Sequence, residues 1–256
     1  MVKAILAGFF TIATALPACA QITAQGQGGN DVLWMAFGIE QKLGKRWTNK
    51  NAIAYSRHSG EDDLTLLEQS GVFTVREEIV YRISRHFKLS QGVFYAGRNY
   101  YDAEHPSYIN EIRLYPRLYH EFNAGRIRFS HYIRADLRFF SGPGFRQYSK
   151  PFELRNRYNM KVSVPLDKNE EHFITGITEF FFATDTKLRP EGAMQTPYDF
   201  TENRTSFFYR RRLKDPDMYF DAGVMFQTWK DSATGNFRET VLLQVDIILI
   251  DPFHRK

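Results

Sequence analysis

Cysteine is all but missing from this 256-residue chain; its single copy is Cys19. That residue lies in a segment expected to be cut away, so the mature chain is expected to form no disulfide and no thiolate metal site. Long apolar runs are equally scarce. Beyond Leu16 none approaches the roughly 20 residues that a membrane-spanning helix needs, and the best, Val245 to Ile250, is broken by Asp246. A helical membrane protein is therefore excluded. Charge of one sign is lacking too, with 34 basic against 29 acidic side chains, a balance too mild for a nucleic-acid binder. Catalytic signatures are also missing. There is no Gly-x-Ser-x-Gly, no His-Glu-x-x-His and no phosphate loop. His120 and Glu121 are neighbours on a strand and point to opposite faces, so they cannot share a metal. His58, Ser59, Asp62 and Asp63 would suit general-base work, but a solvated loop explains them better. The chain is expected to be neither an enzyme nor a cofactor binder.

What is present begins at the N-terminus. Lys3 precedes an apolar run, Ala4 to Leu16, which breaks at Pro17 before Ala18, Cys19 and Ala20. A basic start, a short apolar middle and small residues at a cleavage site form a secretory signal. Residues 1–20 are expected to be removed near Ala20, leaving residues 21–256 as one domain. Lipidation of Cys19 is the alternative, made awkward by Pro17. Aromatic residues make up 16% of the chain, high for a soluble domain that is one-quarter charged. A barrel whose apolar and polar positions alternate reconciles these figures, because averaging hides its apolar face.

Alternation with period two runs through the chain from Asp31 to Phe253. Between Arg126 and Phe140 one face holds Ile127, Phe129, His131, Ile133, Ala135, Leu137 and Phe139. The other holds Arg128, Ser130, Tyr132, Arg134, Asp136 and Arg138. The flanking segments behave alike, with Glu111, Arg113, Tyr115 and Arg117 opposing Ile112, Leu114 and Leu118, and Glu153, Arg155, Arg157 and Lys161 opposing Leu154, Tyr158, Met160 and Val162. Such segments run to 10–15 residues. Strands of soluble sheets average about 5–6, whereas tilted membrane-spanning strands need about 9–11.

Eleven such segments are read: 31–43, 46–58, 71–84, 87–101, 107–122, 126–140, 152–165, 172–184, 199–213, 217–230 and 236–250. Short turns such as Gly44-Lys45 and Arg85-His86 alternate with longer polar connections, His58 to Ser70, Ser141 to Lys150 and Asp185 to Tyr198. This is the meander of an outer-membrane barrel. An odd count conflicts with the usual even number, so the expected fold is an all-β, antiparallel up-and-down transmembrane β-barrel of 12 strands, with 10 as the alternative. Either residues 21–30, which have no clear strand pattern, supply a poor twelfth strand, or they thread through the lumen, or the count of eleven is off.

A signal ending Ala-Cys-Ala-Gln, Trp34 in the first strand, Lys42-Leu43-Gly44-Lys45-Arg46-Trp47 at its turn and Glu111-Ile112-Arg113-Leu114-Tyr115-Pro116-Arg117 further on resemble the domain of unknown function 2490 family of exported, outer-membrane proteins. The resemblance covers the whole mature length. It implies a barrel and transfers no catalytic or ligand residues.

Function must then come from the face turned away from lipid. By parity it carries Arg113, Arg117, Arg128, Arg134, Arg138, Arg155, Arg157, Lys161, Arg204 and Arg210, with Glu111, Glu121, Asp136, Glu153, Glu179, Glu202, Asp221 and Asp246. Two readings stay open. Rings of arginine favour anions, which points to a passive narrow pore with weak preference for anionic solutes. The same residues could instead pair among themselves in a closed structural or adhesive barrel; a rim hydrolase is a distant third. The expected partners are outer-membrane lipid, the barrel-assembly machinery and small anionic solutes, in a bacterial outer membrane.

Overall fold

A computed structural model describes residues 32–58, 69–100, 107–190, 192–230 and 235–253. The expected signal segment, residues 21–30, Ser59, Asp62 and Asp63 lie outside the described residues, as does the side chain of His58. The strands are β1 (Val32–Lys42), β2 (Trp47–His58), β3 (Gln69–Arg82), β4 (Phe87–Tyr100), β5 (Ser107–Ala124) and β6 (Ile127–Ser141). They continue as β7 (Phe152–Pro165), β8 (His172–Arg189), β9 (Gly192–Gln195), β10 (Asp199–Lys214), β11 (Asp217–Lys230) and β12 (Phe237–Ile250). Among the described residues no helix is long and apolar enough to cross a membrane, which says nothing of crossing by strands.

The eleven segments read from alternation are the eleven strands of a closed barrel. Each pairs with its sequence neighbour in antiparallel register, except that β8 passes over β9 to β10. The sheet does contain twelve strands, but the twelfth is β9, a four-residue arm folded back on the end of β8. The connection Asp185 to Tyr198, expected as a polar loop, thus begins as a hairpin. Closure comes from β1 and β12, which run parallel from Val32 opposite Leu242 to Glu40 opposite Ile250. The odd count demands this: in a meander of eleven strands the first and last point the same way, so their seam must be parallel. The expectation of an antiparallel barrel therefore holds everywhere but at that seam.

The alternation sorts side chains by burial. Exposed positions include Met35, Phe37, Ile53, Phe73, Val93, Leu114, Ile133, Leu137 and Leu243; buried ones include Glu78, Glu111, Arg113, Arg134, Asp136, Arg138, Glu202 and Asp221. The exterior is apolar and the interior charged, the reverse of an ordinary globular domain. Polar pairs interrupt the exterior in places: Asn49 donates to Glu77 at 3.0 Å and Asn51 to Asn49 at 2.6 Å, and the His120 and His131 rings meet at 2.8 Å.

Aromatic rings gather outside at both ends of the strands. Near the rim of short turns lie Trp47–Tyr81, Phe87–His120, Phe122–Phe129 and His172–Tyr209. Near the rim of long connections lie Phe139–Phe152, Phe182–Phe200 and Phe200–Phe237.

Candidate functional site: the charged lumen

A period-two wall one residue thick sends every second side chain inward. On β5, β6, β7, β8 and β10 those side chains are long and charged. On β1 to β4 many are small: Ala36, Gly38, Ala52, Ala54, Ser56, Thr74, Ser90, Gly92 and Ala96. The long wall fills the space the short wall leaves. Tyr115 shows how: its ring lies over Gly92, its register partner, where any Cβ would overlap it.

The fourteen residues singled out as lumen-lining all fall on the inward side: Arg113, Arg117, Arg128, Arg134, Arg138, Arg155, Arg157, Lys161, Glu111, Asp136, Glu153, Glu179, Glu202 and Arg204. Most join one lattice. Glu111, with no exposed side-chain surface, takes Arg98 at 3.0 Å, Arg113 at 2.5 Å and Arg138 at 2.6 Å. Arg138 also reaches Glu153, which holds Arg155 at 2.7 Å; Arg155 continues to Glu202 at 3.3 Å, and Glu202 takes Arg204. A second branch runs through Asp136, between Arg134 at 2.5 Å and Arg157 at 3.7 Å, and on from Arg157 to Glu179 at 3.2 Å. Arg113, 3.8 Å from Asp136, joins the branches.

Two buried rings act as posts for the guanidinium groups. Arg134 lies 3.6 Å from the Tyr115 ring centre, and Arg157, Arg204 and Arg155 lie 4.4, 4.9 and 5.6 Å from that of Phe181. Rings at these distances attract the cations stacked on them. The side chains of Arg113, Arg134 and Arg138 are themselves at most 6% exposed. Those three guanidinium groups are thus largely withdrawn from water.

Arg117, Arg128 and Lys161 stand apart from the lattice. Arg117 pairs with Glu78 at 3.5 Å, beside Tyr119, which donates to Glu78 at 2.8 Å. Glu78 and Arg98 are lumen residues that the sequence pattern does not single out. Glu78 sits beside Glu77, so charge gives no parity there; the apolar set Phe73, Val75, Ile79 and Tyr81 is the signal that turns Glu78 inward. Arg128 reaches Glu170 in the turn after β7. With Lys161, Arg210, Glu121, Ser130, Ser163 and Tyr219 it lines a cavity of about 220 Å³ at the short-turn end of the lumen. Among the described residues no cluster of three or more His, Cys, Asp or Glu could hold a metal.

A closed β-barrel with a charged interior and an apolar exterior is the class that fold and site define. The chain matches the family described as Protein of unknown function (DUF2490) over residues 32–238, and it belongs to that family. No curated protein and no solved structure matches it.

Proposed function

We propose that this chain is an exported bacterial outer-membrane β-barrel, cut near Ala20, whose lumen is plugged by its own ion pairs, so that it serves as a closed structural or adhesive barrel. The observation that carries the reading is the inversion of polarity across one wall: Leu137 is 36% exposed while the Arg138 side chain beside it is 4% exposed. An apolar exterior with aromatic belts at both ends suits lipid flanked by two interfaces. Barrel strands of 11 to 18 residues exceed the roughly 9–11 that a tilted span requires. The barrel-assembly machinery and outer-membrane lipid are its proposed partners, and no catalytic role is proposed.

The pore reading keeps one observation in its favour, the cavity at the short-turn end with three cations in its lining. Planar-bilayer recording separates the two. A plugged wild type conducts nothing, and changing Arg113, Arg134 and Arg155 together to Glu lowers its unfolding temperature by leaving carboxylates unpaired in the lumen. An anion-selective pore conducts in the wild type, and the same triple change inverts its selectivity. Steady wild-type conductance sinks the plug.

A further inference from the structure

We propose that the cavity at the short-turn end of the lumen binds a small oxyanion, a phosphate or a carboxylate, between Lys161, Arg128 and Arg210. The inference rests on the proposed function only in that this end of the lumen must open to water.

The lining is laid out by register. Ser130 on β6 is the partner of Lys161 on β7, and one rung closer to the rim Arg128 is the partner of Ser163. Glu121 and Asn123 on β5 continue the same two rungs, and Arg210 enters from β10. Room for a ligand exists: 220 Å³ would hold roughly seven waters at about 30 Å³ each.

Charge decides what enters. Three of the four charged lining residues have partners of their own. Glu121 holds Lys88 at 2.6 Å, Arg128 reaches Glu170, and Arg210 clasps Asp221 with Nε at 2.6 Å and Nη2 at 2.5 Å. Lys161 has no hydrogen bond or ion pair among the described residues. The charged groups facing it are Arg210 and Asp221, which pair with each other, and Lys50 and Glu40, which pair at 2.7 Å. Asp246, outside the lining, has a buried oxygen with no partner, and both Lys161 and Arg76 lie within its electrostatic reach. Arg76 likewise has no ion pair among the described residues. Together Lys161, Arg76 and Arg210 set three formal positive charges against the two carboxylates Asp246 and Asp221, an excess of one.

The donors suit an oxyanion. Arg210 binds Asp221 through Nε and Nη2, which leaves Nη1 for a ligand. Lys161 supplies three N–H donors and Ser130 a hydroxyl, and arginine forks match the oxygens of phosphate and carboxylate. Glu121 sets a limit on charge, because it would repel a ligand that filled the cavity towards β5.

The test is calorimetric titration of inorganic phosphate, and separately of citrate, into the folded full-length mature chain in detergent at low salt. We expect saturable binding of at least one anion, weakened at least fivefold in both Lys161→Gln and Arg128→Gln. Lys168→Gln, in the neighbouring turn, should bind as the wild type does. Binding of phosphate alone assigns a phosphate site and binding of citrate alone a carboxylate site. If neither binds saturably, or if the two lining variants lose less than fivefold, the proposal is overturned. Heat-modifiable gel mobility reports folding, and Arg128 at the rim serves where Lys161→Gln fails to fold. A silent bilayer beside failed binding rejects this site alone; conductance beside intact binding rejects the plug alone.

Discussion

Arg138 and Glu111 meet fork on fork across β5 and β6, with Nε 2.6 Å from Oε1 and Nη2 2.9 Å from Oε2. Neither side chain is more than 4% exposed. Glu111 thereby holds three arginines, since Arg98 and Arg113 share it. Removing it leaves the buried Arg113 and Arg138 without that carboxylate, a loss of about 3–5 kcal/mol for a broken buried pair. We expect Glu111→Leu to lower the urea midpoint sharply in detergent, and Glu111→Leu with Arg138→Leu to recover part of the loss. A single variant as stable as the wild type would mean that the lattice does not hold the lumen together.

The exterior is tested by charge. Leu137→Arg or Val162→Arg should each cost roughly 2–4 kcal/mol of insertion if these positions meet the bilayer midplane. Arg138→Leu, one residue from Leu137, should insert into liposomes more readily than Leu137→Arg, even though it weakens the folded lumen. Equal insertion by all three variants would contradict the assignment of faces.

Asp251 closes the parallel seam at the short-turn rim. Its backbone N–H donates to the Glu40 carbonyl at 2.7 Å, and its Oδ1 accepts from the Lys42 N–H at 3.2 Å and from the Gln41 amide. Asp251→Ala removes the side-chain acceptors and should cost about 1–2 kcal/mol. Amide exchange should quicken along β1 and β12 before it does along β6. Asp251→Asn keeps an oxygen there and tolerates the positive φ of 52° at this position, so it should retain most of the wild-type protection.

In the turn after β7 the backbone N–H groups of His172 and Glu171 each donate to Asp167 Oδ1 at 3.0 Å. Those bonds, His172 first, hold the Asp167 carboxyl below its ordinary value. A depressed carboxylate stabilises the fold above its unfolded pKa, and that contribution is lost as pH falls through the folded one. We expect the His172 amide of the wild type to lose exchange protection only on acidification below about pH 4. Asp167→Asn should have the weaker protection at neutral pH and no such step.

Much of the lumen is legible in the order of the residues. Arg134, Asp136 and Arg138 alternate with Ile133, Ala135 and Leu137, and a strand can only send such neighbours to opposite faces. Charge is silent at Glu77 and Glu78, where only the apolar neighbours mark the faces, and no pattern shows a role that depends on the opposite wall. Gly92 reads as a weak point in a strand until Tyr115 is seen lying on it.

The sequence alone determined the strand segments and which side of each is apolar, because period-two patterning is local and each residue carries its own preference. Only the tertiary structure decided that eleven strands close the barrel, since the partners at the seam, Val32 and Leu242, lie at opposite ends of the chain. It also decided which carboxylate each arginine takes. Arg155 reaches Glu202 from β7 to β10 only because β8 passes over β9 to pair with β10. Ion pairs are set by distance in space, and no spacing along the chain encodes the curvature that brings these side chains together.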